Sequence, residues 1–220
     1  MRRRFAFLFL LAISAGGLLP AIPVGAVSRP APTPQSRLPV PFAAEQTLQI
    51  DLDRDGDLDA VVVGGDSVVP VPETLEADDP DGNRVLLVTV RDRDGYRRVG
   101  LGRGALMCRR CGGAFWGVVP ATIDVSASKN VIVVKQTAGS RELTDWTHRY
   151  RLEKGRVRLI GLDWSVVDRL TGSSVTVSTN YLTGLTITAV EGTPDPSLKS
   201  QKPGRKQGKP SVMYLESVEL

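Results

Sequence analysis

The chain has 220 residues, of which 41% are hydrophobic and 24% charged, with 22 glycines, 15 prolines, two cysteines and one histidine. This composition excludes a fibrous or wholly disordered chain, a dense disulfide scaffold, and a zinc site made of Cys and His side chains alone. Lys and Arg outnumber Asp and Glu by 28 to 24, and this net charge of +4 constrains the partner only through its distribution along the chain.

Residues 1–26 are predicted to form a secretory signal peptide. Three arginines follow Met1, residues 5–13 are an unbroken apolar run, and Val24 and Ala26 suit a cleavage site after Ala26. Two prolines and three glycines within residues 5–26 argue against a retained membrane-spanning helix. We therefore expect a secreted or periplasmic mature chain with no stable membrane anchor, whether export uses the general or the twin-arginine route.

Segments rich in proline or in basic residues flank the central region. Residues 27–44 contain five prolines and are expected to be an extended linker without helix or strand. Residues 193–220 are expected to be a basic flexible tail, in which the weakly alternating stretch 211–220 could add a terminal strand. Because loss of Arg2, Arg3 and Arg4 alone lowers the formal charge from +4 to +1, we expect no nucleic-acid partner.

Residues 45–192 are predicted to form one all-β domain. Short runs rich in Val, Ile, Leu and Thr are separated by turn-forming pairs such as Asp94-Gly95 and Lys154-Gly155. The runs are 47–50, 59–63, 85–90, 96–101, 122–125, 131–135, 146–152, 157–162, 175–178 and 185–190. No stretch of ten residues has the 3.6-residue period of an amphipathic helix. The expected fold is a compact antiparallel β-sandwich or barrel.

The strongest chemical feature is an acidic loop at residues 51–62. Five aspartates occupy its positions 1, 3, 5, 7 and 9, and a glycine occupies position 6: Asp51, Asp53, Asp55, Asp57, Asp59 and Gly56. Alternate side chains of a curled loop point inward, so the first three aspartates can reach one ion, and the glycine permits the sharp turn. The carbonyl of Asp57 and the carboxylate of Asp59, directly or through water, would add oxygen ligands for Ca²⁺. The alternative is a solvated acidic hairpin.

This loop also resembles a known family. The sequence Asp51-Leu-Asp-Arg-Asp-Gly-Asp-Leu-Asp-Ala-Val-Val-Val is similar to the calcium loop and following strand of FG-GAP/VCBS-type repeats in secreted and cell-surface proteins. The resemblance implies that the positions of Asp51, Asp53, Asp55 and Asp59 hold Ca²⁺ and that Asp57 contributes its carbonyl. Later segments, such as Arg158-Leu-Ile-Gly-Leu-Asp, are similar to segments of uncharacterised secreted bacterial proteins with a single such loop, which implies no activity.

The resemblance does not extend to the architecture of the family. FG-GAP/VCBS proteins usually repeat their blade to close a β-propeller, and this chain has one such loop. Its predicted domain, 45–192, is too short for the four or more blades of about 40–60 residues that closure requires. We therefore expect the calcium site without a complete propeller.

Cys108 and Cys111 form a second notable motif. As the only cysteines of an exported chain, they are expected to form a disulfide. So short a loop removes little chain entropy, and the bond would shape the following turn more than it stabilises the fold. The alternative is a redox-active pair in which Arg109 and Arg110 lower the thiol pKa values. Two glycines after Cys111 oppose the helix that usually follows such a pair.

Side chains suited to hydrolysis or sugar binding are few. Asp145 and His148 could join Ser140 or Ser165 in a triad, but a separation of three places Asp145 and His148 on opposite faces of a strand. A sugar-binding surface could use the aromatic residues Trp116, Trp146, Trp164 and Tyr181. Tryptophans of a β domain are more often part of the core. We therefore assign no catalytic residue.

The sequence thus predicts a secreted or periplasmic, calcium-binding β module with a structural or interaction role. Its partner would be a protein or a glycan that the sequence does not identify. The competing hypothesis is a cell-envelope enzyme, which would be either a thiol oxidoreductase acting through Cys108 and Cys111 or a glycan-acting hydrolase.

Overall fold

In the computed structural model of the protein, residues 32–67, 82–113, 122–192 and 202–220 are described. The predicted signal peptide and Trp116 lie outside these ranges. The described residues contain no α-helix and two 3-10 helices, Gln35–Arg37 and Leu215–Ser217. No helix in this part of the chain has the length and apolar character needed to cross a membrane.

Twelve strands within the described ranges form two antiparallel sheets. The small sheet consists of β1 (Phe42–Ile50), β2 (Asp59–Asp66), β3 (Arg84–Asp92) and β4 (Gly95–Gly102), adjacent in chain order. The large sheet consists of β5 (Thr122–Ser128), β6 (Val131–Gly139), β7 (Glu142–Glu153), β8 (Arg156–Asp168), β9 (Ser174–Asn180), β10 (Leu185–Glu191), β11 (Gly204–Gln207) and β12 (Met213–Tyr214). Strands β5 to β11 are also adjacent in chain order, and β12 pairs with β8.

The two sheets pack face to face around one buried cluster. Val61 and Leu86 of the small sheet belong to the same cluster as Ile132, Val134 and Leu159 of the large sheet. Burial alternates along β6, as expected when one face of a strand lies against a core. All ten predicted runs fall within β1 to β10, so the prediction of an all-β antiparallel fold is confirmed; neither sheet closes into a barrel.

Residues 32–44 are not the extended linker that their prolines predict. They contain the 3-10 helix Gln35–Arg37, and β1 begins at Phe42. Leu38 packs against a second buried cluster that includes Val62 and Leu87, and Arg37 Nε donates a 2.5 Å hydrogen bond to the carbonyl of Tyr96. Proline restricts the backbone but leaves the apolar side chain between two prolines available for packing. The segment therefore covers the outer face of the small sheet, which buries β2 and β3 on both faces.

The flexible tail predicted for 193–220 is also wrong for its described part, residues 202–220. Residues Gly204–Gln207 pair with β10 as β11, and Met213–Tyr214 pairs with β8. Leu215 and Val218 are buried in the core between the sheets, 0% and 4% exposed. The possible terminal strand in 211–220 is present as β12. The tail is held because its two apolar side chains complete the core, while its basic residues remain exposed.

Candidate metal centre

The acidic loop joins β1 to β2 at one end of the sandwich. Ile50 is paired with Asp59, so residues 51–58 form the connection beyond the last pair of the two strands. Gly56 has a positive φ of 94°, a conformation that favours glycine and that turns the chain back toward β2. Consecutive valines of β2 point to opposite faces of the small sheet and hold the end of the loop in place. Val61 and Val63 lie on the side that faces the large sheet.

Asp59 is the anchor of the loop. It is 0% exposed, and both of its carboxylate oxygens accept backbone hydrogen bonds of 2.8 Å, Oδ2 from the N–H of Leu52 and Oδ1 from the N–H of Arg91. Burial raises the pKa of the Asp59 carboxyl above its usual value, while these backbone hydrogen bonds act in the opposite direction. Asp59 therefore connects the start of the loop to its end and to β3.

Asp51 organises the first turn of the loop. Its Oδ1 accepts a 2.6 Å hydrogen bond from the N–H of Arg54, and its Oδ2 accepts one of 3.2 Å from the N–H of Gly56. Further along, Asp53 Oδ1 accepts from the N–H of Asp55 at 3.3 Å. Such bonds from backbone N–H groups to aspartate side chains curl the chain and leave the second lone pair of each oxygen available to a cation.

The curled loop brings three carboxylates together. One oxygen each from Asp51, Asp53 and Asp59 lies within 4.8 Å of the other two, so these three residues could hold a metal ion. Burial raises the pKa of the Asp53 carboxyl, and the negative charges of Asp55 and Asp51 raise it further. The group thus combines a buried carboxylate at its base, Asp59, with an exposed one that a cation can reach from solvent, Asp53.

The two other predicted ligands lie outside this group. Asp55 and Asp57 are exposed, and Asp55 Oδ1 accepts a 2.9 Å hydrogen bond from the N–H of Asp57. Neither residue belongs to the cluster of three carboxylates described above. The contribution of the Asp57 carbonyl remains a prediction. The spacing of two predicts five ligand side chains, and the structure brings three of them together.

Cys108 and Cys111 are joined by a disulfide, as predicted, with their Cα atoms 5.1 Å apart. They lie in a turn between β4 and the large sheet. The side chain of Arg109 points away from the sulfur atoms toward the small sheet, where Nε donates 2.8 Å to Glu45 Oε1 and Nη1 donates 2.9 Å to the carbonyl of Asp66. The motif thus carries a structural ion pair, in which Glu45 also bonds Arg84 Nε at 2.8 Å.

The residues considered for hydrolysis do not form a catalytic group. Asp145 Oδ1 accepts a 2.5 Å hydrogen bond from the hydroxyl of Thr137. His148 is 3% exposed on the opposite, core-facing side of β7, where its ring stacks on Tyr150. Burial lowers the pKa of His148 to about 4, so its imidazole is neutral at physiological pH. Trp146 and Trp164 are paired across β7 and β8 and are half-buried.

Two interactions that support these sites have no counterpart in the sequence pattern. The N–H of Arg91 reaches Asp59 from β3, which depends on the register of Ala60 against Thr89. The ion pair of Arg109 with Glu45 joins residues 64 positions apart. No local sequence motif marks either contact, because both arise from strand pairing and from the placement of loops in the fold.

Comparison with known proteins found no match: no protein-family model, no curated protein and no solved structure matches the chain.

Proposed function

We propose that the protein is a secreted or periplasmic calcium-binding β module with a structural or interaction role toward a protein or glycan partner. The observation that carries this proposal is the convergence of carboxylate oxygens from Asp51, Asp53 and Asp59 within 4.8 Å. A hard divalent cation is the ligand that such a set of oxygens favours.

The donor set favours calcium over other metals. The loop contains neither Cys nor His, the ligands that zinc and copper prefer. Ca²⁺ accepts six to eight oxygens in flexible geometry, so backbone carbonyls and water can complete three carboxylates. Mg²⁺ is smaller and requires near-ideal octahedral geometry, which a loop closed by its own backbone hydrogen bonds is less able to supply.

The charges of the loop imply that bound calcium would stabilise the fold. Burial raises the pKa of both Asp53 and Asp59, which means that their charged forms are disfavoured without a counter-charge. A divalent ion between them offsets that cost. Since Asp59 is also bonded to β3 through Arg91, an ion held there would stabilise the connection between β1 and β2 and the small sheet behind it.

Export is supported by two further observations. The first 26 residues have the pattern of a secretory signal peptide, and the two cysteines form a disulfide, a bond that persists in oxidising compartments. The proposal expects the exported chain to begin at Val27. N-terminal sequencing of protein recovered from the periplasm or medium of a bacterial host measures this, and recovery of the uncleaved chain in the membrane contradicts it.

Calcium binding is tested by calorimetric titration and thermal melting of the mature chain in 5 mM CaCl₂, 5 mM MgCl₂ or EDTA. For an extracellular-type Kd of about 10⁻⁴–10⁻³ M, linkage predicts that calcium stabilises the fold by about 1–2 kcal/mol. This corresponds to a rise in Tm of roughly 2–8 °C. Mg²⁺ should have a smaller effect. The isosteric variant Asp53→Asn should lose the calcium effect.

The matched control is Asp92→Asn in the β3–β4 hairpin. Asp92 is exposed and its Oδ1 accepts only a local hydrogen bond from the N–H of Asp94. This variant should keep the full calcium response. Identical melting of the wild-type chain in calcium and in EDTA, with no heat of binding, would contradict the proposal.

A further inference from the structure

A cavity of about 590 Å³ lies beside the acidic loop, between the two sheets at their open end. Its floor is apolar and consists of Leu52 from the loop, Val90 from β3 and Val99 from β4. These three side chains belong to the core cluster and are at most 7% exposed. The cavity is therefore a recess of the sandwich core with one open side, and its volume is in the range of small-molecule sites.

The wall of this cavity is basic. Arg54, Arg97, Arg151 and Lys154 line it, against the single carboxylate of Asp53. Four cations that share one recess repel each other, and because Arg54, Arg97 and Lys154 are exposed, solvent screens part of this repulsion. An anion in the recess would relieve it.

Three of these cations have no partner within the described residues. The side chains of Arg54, Arg97 and Lys154 make no hydrogen bond and no ion pair there. Arg151 is bonded to Glu153, which also accepts a 3.1 Å bond from Arg158, so that carboxylate is itself shared between two guanidinium groups. Three of the four positive charges on the wall of the cavity therefore have no ion-pair partner among the described residues.

The backbone places two of these cations, Arg54 and Lys154, in an uncommon conformation with positive φ. The described residues include four non-glycine residues with positive φ: Arg54, Lys129, Asn130 and Lys154. Arg54, Asn130 and Lys154 line the cavity, and Lys129 is the residue before Asn130. Lys129-Asn130 and Lys154-Gly155 are two-residue hairpin turns, in which Asn or Gly is the residue favoured at the first position. Lysine at these positions has a cost of roughly 1 kcal/mol, since its Cβ opposes positive φ.

We propose that this cavity binds a small organic anion. Its phosphate or carboxylate group lies against Arg54, Arg97 and Lys154, and its apolar part lies on Leu52, Val90 and Val99. Guanidinium groups bind such oxyanions through paired, charge-assisted hydrogen bonds, and Lys154 adds a point charge. The apolar floor excludes a fully hydrated inorganic ion as the preferred ligand and selects an anion with a compact hydrophobic body.

Binding of the anion is coupled to the acidic loop. Asp53 belongs both to the wall of the cavity and to the carboxylate group with Asp51 and Asp59. A cation on that group would neutralise the one negative charge that faces the anion. This coupling, unlike the cavity itself, rests on the proposed calcium site, and by linkage the anion would increase the affinity for calcium by the same factor.

The test is calorimetric titration of the mature chain with phenyl phosphate, inorganic phosphate and benzyl alcohol, in EDTA and again in CaCl₂. Phenyl phosphate should bind in both buffers, more tightly than inorganic phosphate, and benzyl alcohol should not bind. Arg97→Gln should weaken binding of phenyl phosphate by about tenfold or more, because it removes a charge-assisted pair. Lys154→Asn should weaken it several-fold and leave Tm unchanged or raised, since asparagine suits the turn.

The matched control is Arg205→Gln, which removes an exposed positive charge on β11 that does not line the cavity. This variant should bind phenyl phosphate as the wild type does. Absence of phenyl phosphate binding in both buffers, or equal weakening by Arg205→Gln and Arg97→Gln, would overturn the proposal. If the chain binds no calcium, phenyl phosphate still binds in EDTA and its affinity is unchanged by CaCl₂, so failure of the calcium site and failure of the anion site give different results.

Discussion

The N–H of Leu52 donates a 2.8 Å hydrogen bond to Oδ2 of Asp59, which ties the second residue of the acidic loop to the first residue of β2. The other oxygen of the same carboxylate accepts from Arg91 on β3. Because Asp59 is fully buried, these two bonds stabilise the loop before any cation is added. The loop therefore contains a fully buried aspartate with a structural role of its own, Asp59, a half-buried one, Asp51, and exposed ones such as Asp53.

Asp59→Ala is expected to destabilise the protein by about 2–3 kcal/mol in EDTA, since it leaves the buried N–H of Leu52 and the part-buried N–H of Arg91 without their acceptor, and a buried N–H group costs about 1–3 kcal/mol. Asp53→Ala, at an exposed position, should cost less than about 1 kcal/mol under the same conditions. Urea denaturation in EDTA measures both values. Equal losses for the two variants would show that Asp59 has no anchoring role apart from the metal.

Because His148 is buried, we expect the free energy of unfolding to fall in acid. Its pKa is lowered by burial to about 4, whereas an unfolded histidine titrates near 6.5. Between these values the unfolded chain binds more protons than the native one, so the free energy of unfolding falls as the pH falls from 6.5 toward 4. The expected contribution is about 2–3 kcal/mol by pH 4.5, and it is absent above pH 7.

This contribution is isolated by comparing the wild type with His148→Phe in urea denaturation at pH 7.5 and pH 4.5. The immediate neighbours of His148 across the sheet are Val134 and Leu162, and its ring stacks on Tyr150, so no carboxylate pairs with it among the described residues. The variant should lose less stability on acidification than the wild type does. Parallel losses in both proteins would mean that His148 is accessible to protons in the native state.

Arg109 is expected to stabilise the fold through its buried ion pair. Its side chain is 9% exposed and bonds both Glu45 and the carbonyl of Asp66. Arg109→Ala leaves these acceptors without the buried guanidinium and should cost about 2–4 kcal/mol. Arg109→Lys should recover only part of this, because an ammonium cannot make the forked contact.

The matched control for Arg109 is Arg98→Ala, at an exposed position of β4, which should change the free energy of unfolding by no more than about 0.5 kcal/mol. Chemical denaturation of the oxidised protein measures all three variants. A loss on Arg109→Ala no larger than on Arg98→Ala would contradict the anchoring role of this ion pair.

The strands of the sandwich were predictable because their signal is local. Val85–Val90 and Leu185–Val190 consist of β-branched and apolar residues between turn-forming pairs, and both are strands. β11 could not be predicted in this way. Its sequence Gly-Arg-Lys-Gln has no apolar alternation and no buried side chain, and it becomes a strand only because its backbone pairs with β10.

The candidate site was likewise predictable only where its signal lies in adjacent residues. The spacing of the aspartates and Gly56 locates the loop, since both are properties of adjacent residues. Which carboxylates converge depends on the burial of Asp59, and this follows from the register of β2 against β3. The basic cavity is harder still to predict from the sequence, because Arg54 of the acidic loop, Arg97 of β4 and Lys154 of the β7–β8 turn are far apart in the chain and line one cavity only in the folded sandwich.

The composition of β11 has a consequence for how the protein behaves at high concentration. It is one of the two edge strands of the large sheet in the described residues, the other being β5, and its unpaired backbone groups would offer a template for a strand of another molecule. Arg205 and Lys206 are exposed on this edge, so two copies that approach edge to edge bring like charges together. We therefore expect the four residues of β11, which lack any strand pattern, to disfavour intermolecular pairing and fibril growth at this edge of the sheet.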